Sequence, residues 1–340
     1  MNIVITGGAG FLGARLAQRL LALGQLSLAG GTAEPVESIT LVDRVAPQPL
    51  PAADARVRVV VGDLNQLLEK NSPAAQVIRA QDVIIFHLAA AVSGECEADF
   101  DLGMRSNLDT TRALLDQCRA LKTSPTFVFA SSLAVFGNSP EQPLPAVIDD
   151  RTLPTPQNSY GIQKFIGEQL VADYARKGFI RGRNVRLMTV SVRPGKPNGA
   201  ASSFLSGMIR EPLAGVRAVC PVAPDTPVAL SSPSRTIAGI LRAAEASDAE
   251  WGARTAINLP ALKTTPAEMA DALSRLAGND VARLIDWTPD PVISKIVTGW
   301  PAVIDAGRAR RLGLLPDADY ASIIAEYLRE NPRTSPASSQ

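Results

Sequence analysis

The sequence is poor in the residues that build metal sites and covalent scaffolds, with three Cys and one His in 340 residues. Cys96, Cys118 and Cys220 are too few and too scattered for a disulfide framework, and with His87 they form no CxxC or Cys/His ligand spacing. No metal is expected, and a reducing compartment, the cytoplasm, is. The chain also lacks an excess of either charge: 34 Lys+Arg face 33 Asp+Glu, for a net +1. A nucleic-acid binder working through bulk electrostatics would show a basic excess or stripe. Long uninterrupted apolar runs are missing too. The stretch from Ile3 to Leu23 is broken by Gly7, Gly8, Gly10, Gly13, Arg15, Gln18 and Arg19, which excludes a spanning helix and a secretory h-region. Neither nucleic acid nor membrane is therefore an expected partner.

What is present is a core-forming composition. Hydrophobic residues make up 46% and charged residues 20%, which excludes a disordered chain. The first half alternates apolar, Val/Ile/Phe-rich runs with helix-like runs. Strands are predicted over Asn2–Thr6, Ser38–Asp43, Arg56–Val61, Asp82–His87, Thr126–Ser131 and Val185–Val192. Helices are predicted over Phe11–Leu23, Ala74–Ala80, Asp99–Leu121 and Gln157–Lys177. Continuous apolar strands joined by helices predict an α/β fold with a doubly wound parallel sheet. Two segments interrupt the order: a Gly/Ala-rich insertion over Gly24–Pro35, with no argued role, and a Pro-rich surface loop over Asn138–Pro156. After Val192 the pattern turns irregular, with amphipathic helices over Pro266–Ala277 and Tyr320–Asn331, and predicts a smaller lobe.

Between the first strand and first helix lies Thr6-Gly7-Gly8-Ala9-Gly10-Phe11-Leu12-Gly13. The spacing of Gly7, Gly10 and Gly13 is a variant of the dinucleotide fingerprint: a tight turn, close approach of a pyrophosphate, and tight packing of helix on sheet. The helix N-terminus adds free N–H groups for the phosphate charge. Asp43, at the tip of the second strand, can accept from adenosine ribose hydroxyls and would repel a 2′-phosphate. That favours NAD over NADP, against the opposing signal of Arg44. Asp63 ends the third strand and can accept from an adenine amino group or cap the turn that follows.

Tyr160 and Lys164 stand at i and i+4 on a predicted helix, hence on one face. A phenol is a poor base near neutral pH. An ammonium about 4 Å away, at an effective dielectric near 20, favours the phenolate by roughly 4 kcal/mol, about three pKa units. The apolar strand Phe127–Ala130 ends in Ser131 and Ser132, at the carboxyl edge where a doubly wound sheet binds its ligand.

Taken together, these segments resemble the extended short-chain dehydrogenase/reductase family, of the NAD-dependent epimerase/dehydratase type. The matching residues are the glycine loop, Asp43, Gly62-Asp63-Leu64, His87-Leu88-Ala89-Ala90, Asn107, Ser131-Ser132-Leu133-Ala134-Val135-Phe136-Gly137 and Tyr160-xxx-Lys164. Phe136 stands where the family commonly has Tyr, and counting back from Gly137 places the catalytic hydroxyl on Ser132. The resemblance implies a Rossmann-type NAD-binding core over 1–187, a substrate lobe over 188–332 interleaved with it, and a disordered tail over 333–340. It implies Tyr160 as acid/base, Lys164 as its electrostatic partner and ribose anchor, and Ser132 as the polarising donor. Cofactor contacts would come from Gly7, Gly10, Phe11, Leu12, Gly13, Asp43, Asp63, Leu64, Leu88, Ala89, Ala90, Asn107, Ser131, Tyr160, Lys164 and Pro194. His87 is expected to be structural, and family members commonly form homodimers through helices equivalent to Asp99–Leu121 and Gln157–Lys177.

Within the family the chain is similar to the D-erythronate dehydrogenases, through Arg193–Asn198, Ser202-Ser203-Phe204, Arg210–Leu213 and Gly30-Gly31. This implies NAD-dependent oxidation at C2 of a four-carbon sugar acid, D-erythronate to 2-dehydro-D-erythronate. The substrate residues would be Ser132, Asn198, Ser203 and an Arg for the carboxylate, with Arg193, Arg210 and Arg235 all open. The alternatives are a nucleotide-sugar epimerase or dehydratase with tightly bound NAD and, more remotely, a non-catalytic NAD-sensing protein.

Overall fold

The computed structural model describes residues 1–47, 54–69, 77–195 and 199–332. Strand β1 (Asn2–Thr6) leads through the glycine loop into helix α1 (Phe11–Leu23). A short antiparallel hairpin, β2 (Gln25–Ser27) and β3 (Ala33–Pro35), precedes β4 (Ser38–Asp43), β5 (Val57–Val61), α2 (Leu64–Leu67) and β6 (Asp82–His87). The single helix expected over Asp99–Leu121 is built in pieces: α3 (Ser93–Ala98), α4 (Phe100–Gly103), a π-helical stretch over Met104–Asp109, and α5 (Thr110–Leu121). Then come β7 (Thr126–Ser132), α6 (Ser159–Arg176), β8 (Arg181–Leu187) and β9 (Thr189–Val190). The remainder supplies α7 (Phe204–Leu213), β10 (Ala218–Cys220), β11 (Val228–Ser231), α8 (Pro233–Glu245), α9 (Asp248–Trp251), β12 (Ile257–Asn258) and β13 (Leu262–Thr264). It closes with α10 (Pro266–Ala277), α11 (Asn279–Ala282), β14 (Ile285–Trp287), α12 (Pro291–Thr298), α13 (Gly307–Arg311) and α14 (Tyr320–Glu330).

Seven strands form one parallel sheet in the order β12–β8–β7–β6–β1–β4–β5. The order reverses between β1 and β6, so the ligand crevice of this Rossmann-type sheet opens at their carboxyl ends. One face packs Ile3, Ile5, Leu16 and Leu20 against Ile237, Ile240, Trp251 and Leu312; the other packs Ile85, Phe127 and Phe129 against Leu114, Leu115 and Val171. A further apolar cluster joins Leu205, Met208, Leu230, Met269, Leu273 and Ile324. Elements after residue 187 thus serve both the sheet, through α8 and β12, and a cluster of their own.

Two departures from the sequence expectation have clear physical causes. Strand β8 starts at Arg181 and not Val185. Its polar residues are buried with remote partners: Arg183 donates to the Ala246 carbonyl at 3.0 Å and to Asp248 at 2.6 Å, and Asn184 to the Glu168 carbonyl at 3.0 Å. The insertion over Gly24–Pro35 also has a role. At its tip the Ala29 and Gly30 amides donate to the carbonyls of Ala244 and Glu245, at 3.0 and 2.7 Å. These carbonyls end α8 and have no intrahelical partner, so the hairpin caps that helix from outside. Gly30 has φ +77°, and an added Cβ would lie 2.7 Å from Ser247 Cβ. The helix expected over Ala74–Ala80 falls partly outside the described residues, as does the tail; described residues 77–80 are not helical.

The last helix ties the two regions together. Arg15 of α1 pairs with Glu330 and lies 4.0 Å from Glu326, whose carboxylate accepts from the Ser234 amide at 3.0 Å. At its other end the Tyr320 hydroxyl meets Ser191 Oγ at 2.8 Å.

Candidate active site

The glycine loop is shaped by contact with the next strand. Gly7 has φ +71°, and a Cβ there would lie 2.8 Å from the Ala89 amide nitrogen, so the loop rests against Leu88–Ala90. No side chain caps α1 and its first turn holds no acid, which leaves its positive end open to an anion. Asp43 stands beside the loop. Its carboxylate accepts from the Ala9 amide at 2.9 Å and the Arg44 amide at 2.7 Å, with lone pairs remaining for hydroxyls. This cradle, backbone amides first and a fixed carboxylate at the β4 tip, fits a dinucleotide. Asp63 caps α2 by accepting from Asn65 N at 2.9 Å, the second of the two roles open to it, and Leu64 is buried.

Below the cradle His87 is buried in a chain of hydrogen bonds. The Thr111 hydroxyl donates to the Asn107 carbonyl at 2.6 Å, so it must accept from His87 Nε2, 2.9 Å away. His87 Nδ1 is therefore the acceptor for the Thr6 hydroxyl at 2.7 Å, and Thr6 accepts the Ala89 amide at 3.3 Å. The neutral imidazole fits every partner; burial, with the Lys164 charge adding, pushes its pKa down to about 3.

The tip of β7 is joined to α6 residue by residue. Lys164 Nζ donates to the Ala130 carbonyl at 2.9 Å, the Ser131 hydroxyl to Glu168 at 2.5 Å, and the Ser132 side chain lies near the Tyr160 phenol. Gly161 permits this approach, since a Cβ there would lie 2.1 Å from the Ala134 carbonyl. Ser131, expected at the cofactor, turns its buried hydroxyl to Glu168. The Lys164 ammonium donates to Ala130 and lies 5.7 Å from the Tyr160 ring centroid. Burial pushes Tyr160 up to about 12, opposed by Ser132, and pushes Lys164 down to about 8.

Asn107 lies in the π-helical stretch and binds two other segments. It accepts from Ala91 N at 2.8 Å, donates to Ala91 O at 3.2 Å, and donates to Gln163 Oε1 at 2.8 Å. Sequence reasoning passed over Gln163, Glu168 and Arg186. The signal for Glu168 was its place four residues after Lys164, on the same helical face.

On the other side of the cleft the three candidate arginines separate. Arg193 interacts electrostatically with Tyr160; its guanidinium is largely buried, and its Nη2 has no hydrogen-bond partner among the described residues. Arg210 is spent, donating to the Arg193 carbonyl at 2.7 Å and pairing with Glu211. Arg235 is exposed and lines a cavity of about 110 Å3 with Leu259, Pro260 and Leu314, which includes neither Tyr160 nor Ser132. Pro194 follows Arg193 and is half-buried, and Ser203 leads into α7. Asn198 lies outside the described residues.

This geometry agrees with the comparisons to known proteins. Residues 3–225 match the NAD dependent epimerase/dehydratase family, and the chain belongs to it, with NAD as the cofactor of the family. Among curated relatives, the D-erythronate dehydrogenase of Cupriavidus necator is 51% identical over 97% of this chain and 98% of its own length. The D-erythronate dehydrogenase of Haemophilus influenzae is 40% identical over 96% and 99%. Among solved structures, a nucleoside-diphosphate-sugar epimerase from Agrobacterium tumefaciens superposes with a TM-score of 0.87 at 39% identity, covering 97% of this chain and 94% of that one.

Proposed function

We propose that the chain is a cytoplasmic NAD-dependent oxidoreductase that oxidises the C2 hydroxyl of a small sugar acid, D-erythronate to 2-dehydro-D-erythronate. The observation that carries this reading is Arg193: a largely buried guanidinium whose Nη2 has no partner among the described residues, and which interacts electrostatically with the phenol of Tyr160. A guanidinium beside an alcohol-oxidising pair suits a carboxylate next to a hydroxyl. The names of the two curated relatives support the same substrate.

The glycine loop would hold the pyrophosphate, Asp43 the adenosine ribose, and Lys164 the nicotinamide ribose. NAD, when bound, supplies the hydride acceptor. Ser132 orients the substrate hydroxyl and Tyr160 takes its proton, a contribution of about 10²–10⁴-fold. In the free protein burial holds the proton on the Tyr160 phenol and lowers the Lys164 ammonium to about 8.

The test is absorbance at 340 nm, the NADH band, with NAD+ and NADP+ against a panel of four- to six-carbon sugar acids. Net NADH with D-erythronate is expected. No reduction across the panel overturns the reading in favour of an epimerase, the activity by which the Agrobacterium tumefaciens neighbour is named and one that regenerates its cofactor in each cycle. Tyr160→Phe should remove turnover with NAD binding nearly intact; full residual activity would take the acid/base role away from Tyr160. A protein that binds NAD yet turns over neither sugar acids nor nucleotide sugars would be the non-catalytic NAD sensor. We also assign a homodimer, through the faces on which Phe100, Ile162 and Ile166 stand exposed.

A further inference from the structure

Two amide side chains are buried between α6 and the turn after β6, and the proposed chemistry uses neither. Gln163, immediately before Lys164 on α6, is 1% exposed, and Asn107, in the π-helical stretch, is 2% exposed. Gln163 Oε1 accepts from Asn107 Nδ2 at 2.8 Å, while Gln163 Nε2 has no hydrogen-bond partner among the described residues. Gly103 makes room for this amide: an added Cβ would stand 2.6 Å from Gln163 Nε2 and 3.1 Å from Oε1. Burying a polar group with an unpaired donor costs stability that an apolar side chain of the same size would not cost. Gln163 therefore calls for a role that needs its oxygen.

The orientation of the pair is forced. Asn107 Oδ1 accepts from the Ala91 amide, so Nδ2 must face Gln163 as a donor, and the opposite setting of Gln163 would put donor against donor. Asn107 Nδ2 also donates to the Ala91 carbonyl and to the Cys96 sulfur at 3.3 Å. Asn107 thus holds both backbone polar groups of Ala91. Its own carbonyl begins the Thr111–His87–Thr6 chain that ends on the Ala89 amide. Asn107 therefore sets both ends of the segment Ala89–Ala91, the wall against which Gly7 turns.

We infer that Gln163 is a positioning residue for the dinucleotide: its oxygen holds Asn107 on Ala91, and so keeps Ala89–Ala91 in the form that supports the glycine loop. The link runs from the helix that carries Tyr160 and Lys164 to the turn that takes the pyrophosphate. It needs the cofactor of the family and no substrate, so it stands apart from the sugar-acid reading.

The test is NADH binding by fluorescence titration without substrate, beside hydrogen–deuterium exchange of the cofactor-free protein, read by mass spectrometry over residues 86–93. Gln163→Met removes the oxygen at nearly constant size. It should raise the Kd for NADH by about tenfold, the worth of one buried hydrogen bond, and speed exchange over 86–93. Gln163→Glu keeps an acceptor for Asn107 and should restore both to within about twofold of wild type. If Gln163→Met does not fold, Gly103→Ala displaces the amide without altering Gln163, at a helical position of φ −58°, and should give the same two effects. A folded Gln163→Met or Gly103→Ala protein with wild-type Kd and wild-type exchange overturns the inference. So does a weaker Kd that Gln163→Glu does not restore, since that makes Gln163 a packing residue. A wild-type protein that oxidises no sugar acid, while Gln163→Met shows both effects, overturns the substrate reading alone.

Discussion

At the scale of single residues, the proposed function gives the neighbours Arg193 and Arg210 different tasks. Arg193→Met should raise KM for D-erythronate by about 10–100-fold, the worth of a charge-assisted hydrogen-bonded pair. Arg210→Met should act mainly on stability, since it leaves Glu211 without its cation and the Arg193 carbonyl without its donor. Steady-state kinetics beside thermal unfolding separates the two. His87 gives a second prediction. The unfolded chain binds a proton on this residue near 6.5, while the folded chain refuses it until about 3. Its contribution is complete above that window and is lost as pH falls through it. Urea unfolding between pH 6.5 and 3 should show one proton of pH dependence that disappears in His87→Gln. The glycine turn, Asp43 at its strand tip and Tyr160 with Lys164 on one helix stand where the sequence placed them, because that placement follows from local spacing. Arg193 could be named only as one of three, since what distinguishes it is a partner that Arg210 has and it does not.

At the scale of elements, legibility followed apolar periodicity and failed where polar residues are buried. Strands β1, β4 and β6 are mostly apolar and were read to the residue. The first turn of β8 looked like a loop because Arg181, Arg183 and Asn184 find their partners on α6 and α9, far away in sequence. The interruption between α4 and α5 was hidden for a different reason: a π turn keeps helical composition and shifts only the register, here to turn Asn107 inward. The β2–β3 insertion gave no signal at all, because capping a distant helix is invisible to local patterns. Gly30→Ala should destabilise the protein by about 1–2 kcal/mol, through a left-handed backbone and a crowded Ser247, and should leave kcat unchanged. Differential scanning calorimetry measures the first and steady-state turnover the second.

At the scale of the whole molecule, the exposed apolar side chains on the α4 and α6 faces predict association. Ile162 and Ile166 are one helical turn apart, 46% and 36% exposed, with Phe100 at 61%. Ile162→Glu with Ile166→Glu should halve the mass seen by light scattering; an unchanged mass would remove this face from the interface. The clasp formed by the last helix carries a consequence for how the polypeptide is made. Ile3, Ile5 and Leu16 leave the ribosome early, yet the side chains that cover them, Ile237, Ile240, Trp251 and Leu312, are translated hundreds of residues later. Glu326 and Glu330, which grip Arg15, come later still. One face of the nascent sheet must stay uncovered through most of translation, so the yield of native protein should depend on holdase chaperones until α8 and α14 have emerged.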